Sequence, residues 1–266
     1  HVLPVVCALL IRDTTEIQDH VALDEEAVSE QARVALEDIA VAAFKVGFLG
    51  SPEVVSAVAQ ITNDYEHIPV VSYMPNLAWM DDIALDNYLD AFADLMLPQT
   101  TILVGNYSTL CRWLLPDWSA SKQPGPRDVA KAATEHGVVY TLVTGMNAPD
   151  QFLENHLATP QTILATAKFE RFESVFTGAG DTLSAALCAL IATGDDLQAA
   201  CAEALTYLDQ SLDAGFAPGM GHALPDRMFW AREEASDDEI AGDDTDGNGS
   251  SAPPGLGSFP PNTTTH

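Results

Sequence analysis

Apolar and polar positions follow each other along the chain in blocks that predict strands and helices in turn. Continuous apolar runs are typical of buried strands, and they occur at residues 2–11, 41–48, 69–73, 101–104 and 138–143. Between these runs apolar residues recur every three to four positions, as in an amphipathic helix; Val28, Ala32, Ala35 and Ile39 form the first such stripe. Strands that alternate with helices predict an α/β fold with a mainly parallel central sheet and helices on both faces.

Helix starts are marked by residues whose side chains can cap free backbone N–H groups. Asp24, Ser51 before Pro52, and Asp81 or Asp82 stand at such positions, and each precedes a helical stripe. Two more helices are predicted near the end of the pattern, over 181–192 and from Asp195 to a stop at Gly215.

The middle of the pattern is harder to interpret. Residues 147–160 show no clear period and are expected to be irregular. Residues 161–166 and 169–175 predict two antiparallel strands joined by a turn at Ala167-Lys168.

Charge and composition narrow the function classes. The formal net charge of the 266 residues is −28, with 39 acidic against 11 basic residues. This balance argues against a nucleic-acid surface, which needs a basic stripe, and favours small-molecule or protein partners. No run of about 20 apolar residues exists, so no membrane span is predicted. The four cysteines are widely spaced, which favours free thiols in a reducing cytoplasm.

The last part of the chain differs in composition from the rest. Residues 233–246 are an acidic run, and residues 247–266 are rich in Gly, Ser, Pro, Asn and Thr. Such a segment buries too little apolar area to offset the entropy of ordering it. We therefore expect a domain over residues 1–232 and a disordered acidic tail over 233–266.

The candidate chemistry centres on the segment Thr177-Gly178-Ala179-Gly180-Asp181-Thr182, which runs straight into an apolar helix. Small residues leave backbone N–H groups open to a ligand, and a helix N-terminus attracts anions. A carboxylate on the first turn can take a proton from a hydroxyl that attacks a bound phosphate. The same pattern also suits a tight turn with an acidic residue that stabilises the helix N-terminus.

Other polar segments fall at the ends of predicted strands. They are Lys45-Val46-Gly47, Gly105-Asn106 and Thr144-Gly145. Because ligands of open α/β sheets bind beyond the carboxyl ends of the strands, this placement strengthens the interpretation of residues 177–182 as a phosphate site.

These segments together resemble a known family. Residues 177–182 resemble the signature of ribokinase-like kinases, and Lys45 to Ser51 resembles the Lys-x-Gly-x-Leu-Gly-Ser segment of hydroxymethylpyrimidine and phosphomethylpyrimidine kinases of thiamine biosynthesis. Residues 215–221 and 225–230 are similar to the C-terminal end of bacterial members. The resemblance covers residues 1–230 and implies a ribokinase-like three-layer α/β fold.

The resemblance also implies an activity and its residues. It implies an ATP- and Mg²⁺-dependent kinase that phosphorylates the hydroxymethyl group of an aminopyrimidine or of its monophosphate, and it suggests a homodimer. Asp181 would be the catalytic base, and the N–H groups of Gly178, Ala179 and Gly180 would form the anion hole. The nucleotide would lie near Asn106, Thr144 and Gly145, and the substrate near Arg12, Lys45 and Phe48.

The chain departs from the family pattern at several positions. Arg12 replaces a Gln, Thr109 replaces a Glu that helps hold Mg²⁺, and no Lys follows Thr144-Gly145; we therefore assign no side chain as a metal ligand. Ser72-Tyr73-Met74-Pro75 replaces an Asp-Pro-Val type of segment. The family also begins with a strand and a substrate loop ahead of the position of His1, so we expect that part of the pocket to be missing. A pyridoxal-type kinase and a catalytically weak ligand-binding relative remain alternatives.

Overall fold

The computed structural model describes residues 1–231, and the predicted tail over 233–266 lies outside the described residues. The strands are β1 (Ala8–Arg12), β2 (Ile17–Ala22), β3 (Phe44–Val46), β4 (Val70–Met74), β5 (Ile102–Asn106), β6 (Tyr140–Asn147), β7 (Phe152–Ala158) and β8 (Ile163–Glu170). The helices are α1 (Glu25–Asp38), α2 (Pro52–Asn63), α3 (Asp82–Ala91), α4 (Tyr107–Leu114), α5 (Pro126–Glu135), α6 (Ala179–Thr193) and α7 (Leu197–Asp213).

A six-stranded sheet forms the centre of the described chain, in the order β3-β4-β5-β6-β7-β8. The pairs from β3 to β6 are parallel, whereas β7 and β8 add to the edge in antiparallel fashion. The predicted, mainly parallel sheet is confirmed. Its parallel strands bring their carboxyl ends to one edge, where Asn106 of β5 is paired with Thr144 of β6.

Helices cover both faces of this sheet. One apolar cluster holds buried side chains of the helices α1 to α5, among them Val28, Val54, Tyr88, Leu110 and Val129. A second cluster holds buried side chains of α6 and α7, among them Leu183, Leu187, Ala200 and Leu205. The three-layer architecture is thus confirmed.

Three predicted helix starts are confirmed by their caps. Asp24 accepts hydrogen bonds from the N–H groups of Glu26 and Ala27, at 3.0 and 3.4 Å. Ser51 Oγ accepts one from Val54 N at 3.3 Å, and Asp81 accepts one from Ala84 N at 3.1 Å. None of the helices within residues 1–231 combines the length and the apolar character that a membrane crossing needs.

The prediction of a buried strand over 2–11 is wrong. Residues Ala8–Arg12 form β1, which pairs only with β2 in a separate two-stranded antiparallel ribbon. Leu9, Leu10 and Ile11 are 58%, 41% and 49% exposed. An apolar run predicts that a segment is extended, but it does not say which strand pairs with it or what covers it.

The predictions for 147–175 are also wrong in part. Residues 152–158 are not irregular but form β7, which pairs antiparallel with β6 on one side and with β8 on the other. Residues 163–170 form the single strand β8 and not two strands. The hairpin turn lies at Thr159, whose N–H donates to Thr162 O at 2.9 Å, and not at Ala167-Lys168. The polar residues Glu154, Asn155 and His156 interrupt the apolar pattern of β7, so the sequence does not show this strand as an apolar run. These side chains form polar contacts within the sheet.

Candidate active site

The segment from Thr177 to Asp181 leads from the end of the sheet into α6. Gly178 has φ +84°, a left-handed conformation that glycine adopts without strain. The N–H groups of residues 178–181 donate to no acceptor among the described residues, whereas Thr182 N already donates to Gly178 O at 2.9 Å. Free N–H groups at the start of a 15-residue helix form a site for an anion.

Asp181 lies on the first turn of α6 and forms an ion pair with Lys45 of β3. Lys45 Nζ lies 2.7 Å from Asp181 Oδ1, and the two side chains are 27% and 57% exposed. The second carboxylate oxygen, Oδ2, accepts no hydrogen bond within the described part of the chain. Asp181 is therefore held in place through one oxygen, while the other stays available to accept a proton.

Tyr73 is a site residue that the sequence analysis did not identify as one. A Cβ atom at Gly180 would overlap the Tyr73 hydroxyl, and Lys45 Nζ lies 5.8 Å from the ring centroid. Burial, with a smaller effect of the Asp181 charge, raises the pKa of the Tyr73 phenol above its usual range. The phenol therefore stays protonated at neutral pH. The signal for it was the departure at Ser72 to Pro75, which places a tyrosine at the end of β4.

Two arginines lie beside the anion site. Arg12 Nη2 donates to Thr177 Oγ1 at 3.3 Å, and His222 Nδ1 lies 3.2 Å from the same oxygen. Arg227 Nε donates to Thr182 Oγ1 at 2.8 Å. The family resemblance had indicated Arg12 as a site residue. Arg227 lies 45 residues beyond Thr182 along the chain, and nothing in the sequence indicated that its side chain contacts α6.

The predicted nucleotide residues form a second group at the same edge of the sheet. Asn106 caps α4, with Oδ1 accepting from Ser108 N at 3.0 Å and from Ser108 Oγ at 2.8 Å. A methyl group at Gly145 would lie 2.6 Å from Asn106 Nδ2, so the two predicted residues are adjacent. Gly145 has φ +71°, and its N–H donates to Asn155 Oδ1 at 3.0 Å.

Thr144 completes this group, and Asn155 is a further member that the sequence analysis missed. Thr144 Oγ1 donates to Gly105 O at 3.2 Å, which ties β6 to β5 at their carboxyl ends. Asn155 falls in the stretch that was expected to be irregular, so no pattern assigned it to a strand beside the site.

Phe48 follows β3 along the chain and packs against other aromatic rings. Its ring centroid is 5.2 Å from that of His20 and 5.5 Å from that of Trp79, in edge-to-face contacts. The neighbouring Gly47 approaches the ion pair closely, since a methyl group there would lie 2.9 Å from Lys45 Nζ. The structure thus brings Lys45 to Asp181 and places the Phe48 ring in a half-buried aromatic group, next to the site along the chain.

The donor groups of the site fit phosphate better than they fit a metal ion. The free N–H groups, Lys45 and the two arginines all present hydrogen-bond donors to an anion. Among residues 1–231 no group of three or more His, Cys, Asp or Glu side chains is placed to hold a metal.

Several known proteins are similar to this chain. A hydroxymethylpyrimidine/phosphomethylpyrimidine kinase of Streptomyces coelicolor is 26% identical over 229 residues, which cover 83% of this chain and 81% of that protein. A pyridoxal kinase of Staphylococcus aureus, solved with AMP-PCP and pyridoxal, superposes with a TM-score of 0.69 at 19% identity, over 85% of this chain and 81% of that one. A phosphomethylpyrimidine kinase of Clostridium difficile gives a TM-score of 0.60 at 17% identity, over 77% and 83% of the two chains.

The sequence identity between this chain and the two solved structures is low, so these structures establish the fold and nothing more. The family model described as phosphomethylpyrimidine kinase matches residues 1–226, which include the anion site, the Lys45–Asp181 ion pair and the Asn106 group. The chain therefore belongs to the phosphomethylpyrimidine kinase family.

Proposed function

We propose that this protein is an ATP-dependent kinase that phosphorylates the hydroxymethyl group of an aminopyrimidine or of its monophosphate, a step of thiamine biosynthesis. The observation that carries the proposal is the Asp181 carboxylate, held by Lys45 at 2.7 Å beside unpaired N–H groups at the start of α6. The family match over residues 1–226 supports the same activity.

Each group of the site has a proposed role. The N–H groups of Gly178, Ala179 and Gly180 hold the phosphoryl group during transfer. Asp181 takes the proton of the substrate hydroxyl as its oxygen forms a bond to the γ-phosphorus, while the bond from that phosphorus to the leaving oxygen of ADP breaks. Lys45 keeps the carboxylate oriented toward the hydroxyl. Arg12 and Phe48 line the substrate side.

The nucleotide is proposed to lie at the second group of residues, Asn106, Thr144 and Gly145. Their position at the carboxyl ends of β5 and β6 supports this assignment. Bound Mg²⁺ would supply neutralisation of the phosphate charge. The absence of a metal-binding group of side chains within residues 1–231 leaves the nucleotide phosphates as the main proposed ligands.

We also propose a cytoplasmic location and a homodimer. All four cysteines are free, as a reducing compartment would keep them. Exposed apolar side chains on the β1–β2 ribbon support a second copy as partner.

The test is ADP formation from MgATP with the aminopyrimidine alcohol, with its monophosphate and with pyridoxal as acceptors. Asp181→Asn should keep the fold and lower kcat by about 10²- to 10⁴-fold, the usual contribution of a general base. Asp86→Asn is the matched control, because Asp86 is an exposed carboxylate on α3 and its loss should leave kcat unchanged.

Three outcomes would decide between the proposals. A near-wild-type kcat in Asp181→Asn would remove Asp181 from the mechanism. Turnover with pyridoxal alone would favour the pyridoxal-type kinase. Tight calorimetric binding of the pyrimidine without turnover would mean a binding relative and contradict the proposed kinase.

A further inference from the structure

The C-terminal part of the described chain returns to the start of α6. Arg227 is anchored there at both its backbone and its side chain. Tyr207 of α7 donates its hydroxyl hydrogen to Arg227 O at 3.0 Å, and Arg227 Nε donates to Thr182 Oγ1 at 2.8 Å. The side chain is thus attached to the same helical turn that carries Asp181.

Thr182 links Arg227 to the anion hole. Its hydroxyl accepts from Arg227 Nε and donates to Gly178 O at 2.8 Å. A methyl group at Gly178 would lie 2.8 Å from Arg227 Nη2, so the guanidinium lies directly beside a glycine of the proposed anion hole. Thr182 therefore fixes both the position and the orientation of the guanidinium.

Arg227 forms no ion pair within residues 1–231. The described ion pairs involve Arg33, Lys45 and His156. Within the described part of the chain, the hydrogen bonds of Arg227 engage only its Nε and its carbonyl oxygen. In a chain of net charge −28, a cation without a carboxylate partner beside free N–H groups indicates an anionic ligand.

We propose that Arg227 binds the γ-phosphoryl group of ATP through its terminal nitrogens and that Thr182 positions it. This assignment rests on the proposed kinase function. A guanidinium leaves two terminal nitrogens free when its Nε is engaged, whereas a lysine has no such second attachment. Arg227 would thereby supply positive charge at the phosphoryl site in a chain that has no Lys directly after Thr144-Gly145.

The experiment compares two nucleotides by calorimetry, in excess Mg²⁺: AMP-PNP, which carries the γ-phosphoryl group, and ADP, which lacks it. Arg227→Gln should weaken AMP-PNP binding by about 10- to 100-fold, the range of charge-assisted hydrogen bonds, and leave ADP binding within about twofold, because ADP has no group at this position. Arg227→Lys should recover only part of the loss.

Two further variants separate binding from stability. Thr182→Val keeps the arginine but removes its attachment, and it should also weaken AMP-PNP selectively. Arg33→Gln is the matched control, because Arg33 pairs with Glu30 and Glu37 on the outer side of α1, and neither nucleotide should be affected.

Equal effects on both nucleotides, or a lower melting temperature with unchanged affinities, would overturn the assignment and leave Arg227 as a structural attachment. If Arg227→Gln does not fold, the Arg227→Lys and Thr182→Val variants decide in the same way. Failure of the wild type to bind either nucleotide would instead contradict the proposed function, and with it the phosphate that Arg227 is proposed to bind.

Discussion

At the residue scale, the site depends on close contacts that only small side chains permit. Gly47, Gly178 and Gly180 each lie against a side chain of the candidate site: Lys45, Arg227 and Tyr73 respectively. A glycine at these positions has two effects, because it leaves an N–H group accessible and lets a partner approach the backbone. The sequence suggests the first effect from the Gly-Ala-Gly spacing, but the second depends on residues that are distant along the chain.

Gly180 allows this second effect to be measured. A Cβ atom there would overlap the Tyr73 hydroxyl, so Gly180→Ala should destabilise the protein by about 1–3 kcal/mol, as overpacking does. In an ordinary helix the same change would stabilise by about 0.5–1 kcal/mol. The measurement is the free energy of unfolding by urea.

The control for Gly180→Ala is a double-mutant cycle with Tyr73→Ala. Once the phenol is removed, the added methyl group should cost much less. Gly125→Ala serves as a matched change, since a Cβ atom there meets nothing closer than 3.6 Å. A cost for Gly180→Ala that does not depend on Tyr73 would contradict this packing.

At the element scale, the strands of the parallel core were predictable, whereas β7 and the pairing of β1 and β8 were not. The strands β3 to β6 are buried between two helical layers and appear as apolar runs, so the predictions over 41–48, 69–73, 101–104 and 138–143 are confirmed. Strand β7 carries Glu154, Asn155 and His156 within the sheet and does not follow that pattern. Its identity depends on pairing with β6 and β8, which are contacts that a local pattern does not contain.

The same reasoning explains which residues of the candidate site could be identified from the sequence. Lys45, Asn106, Thr144 and Asp181 were predictable, because they lie in the last part of buried strands or on the first turn of a helix at one edge of the sheet. Tyr73, Asn155 and Arg227 were not, since each reaches the site through tertiary packing of its element.

His156 of β7 provides a test by pH. It is 7% exposed, and its Nδ1 lies 3.0 Å from Thr166 Oγ1 on β8. Burial lowers the pKa of His156, and the charge of Glu154 opposes this shift only in part. The unfolded chain therefore takes up this proton more readily than the folded chain. The resulting stabilisation is present above the ordinary histidine pKa of about 6.5 and is lost as the pH falls toward the folded pKa.

We expect the melting temperature to fall between pH 7 and pH 5, and to fall less steeply in His156→Gln. His136→Gln is the control. His136 is a half-buried residue at the end of α5, and its replacement should leave the slope of melting temperature against pH unchanged. An equal slope in wild type and His156→Gln would exclude His156 as its source.

At the scale of the whole molecule, the β1–β2 ribbon stands apart from the six-stranded sheet. Two backbone-mediated contacts attach its turn to the C-terminal loop: Gly221 N donates to Thr14 Oγ1 at 3.2 Å, and His222 N donates to Thr14 O at 2.8 Å. A two-stranded ribbon is only marginally stable alone. Leu9, Leu10, Ile11 and Val21 of this ribbon are exposed, so its stability would increase if a second copy covered them.

The proposed homodimer can therefore be tested at the ribbon. Leu9 and Ile11 are 58% and 49% exposed on β1, and burying such side chains stabilises association by about 1.5–3 kcal/mol each. Sedimentation equilibrium should give a dimer for the wild type and a monomer for the double change Leu9→Asp with Ile11→Asp. Ile83→Asp is the matched control, because Ile83 is 76% exposed on α3 and lies outside the ribbon. A monomeric wild type, or a dimer that survives both aspartates, would contradict the ribbon as the interface.

Arg12 follows these residues on β1, and its side chain donates a hydrogen bond to Thr177 at the anion site. Loss of the dimer should therefore also weaken substrate binding, because the ribbon at the interface carries Arg12.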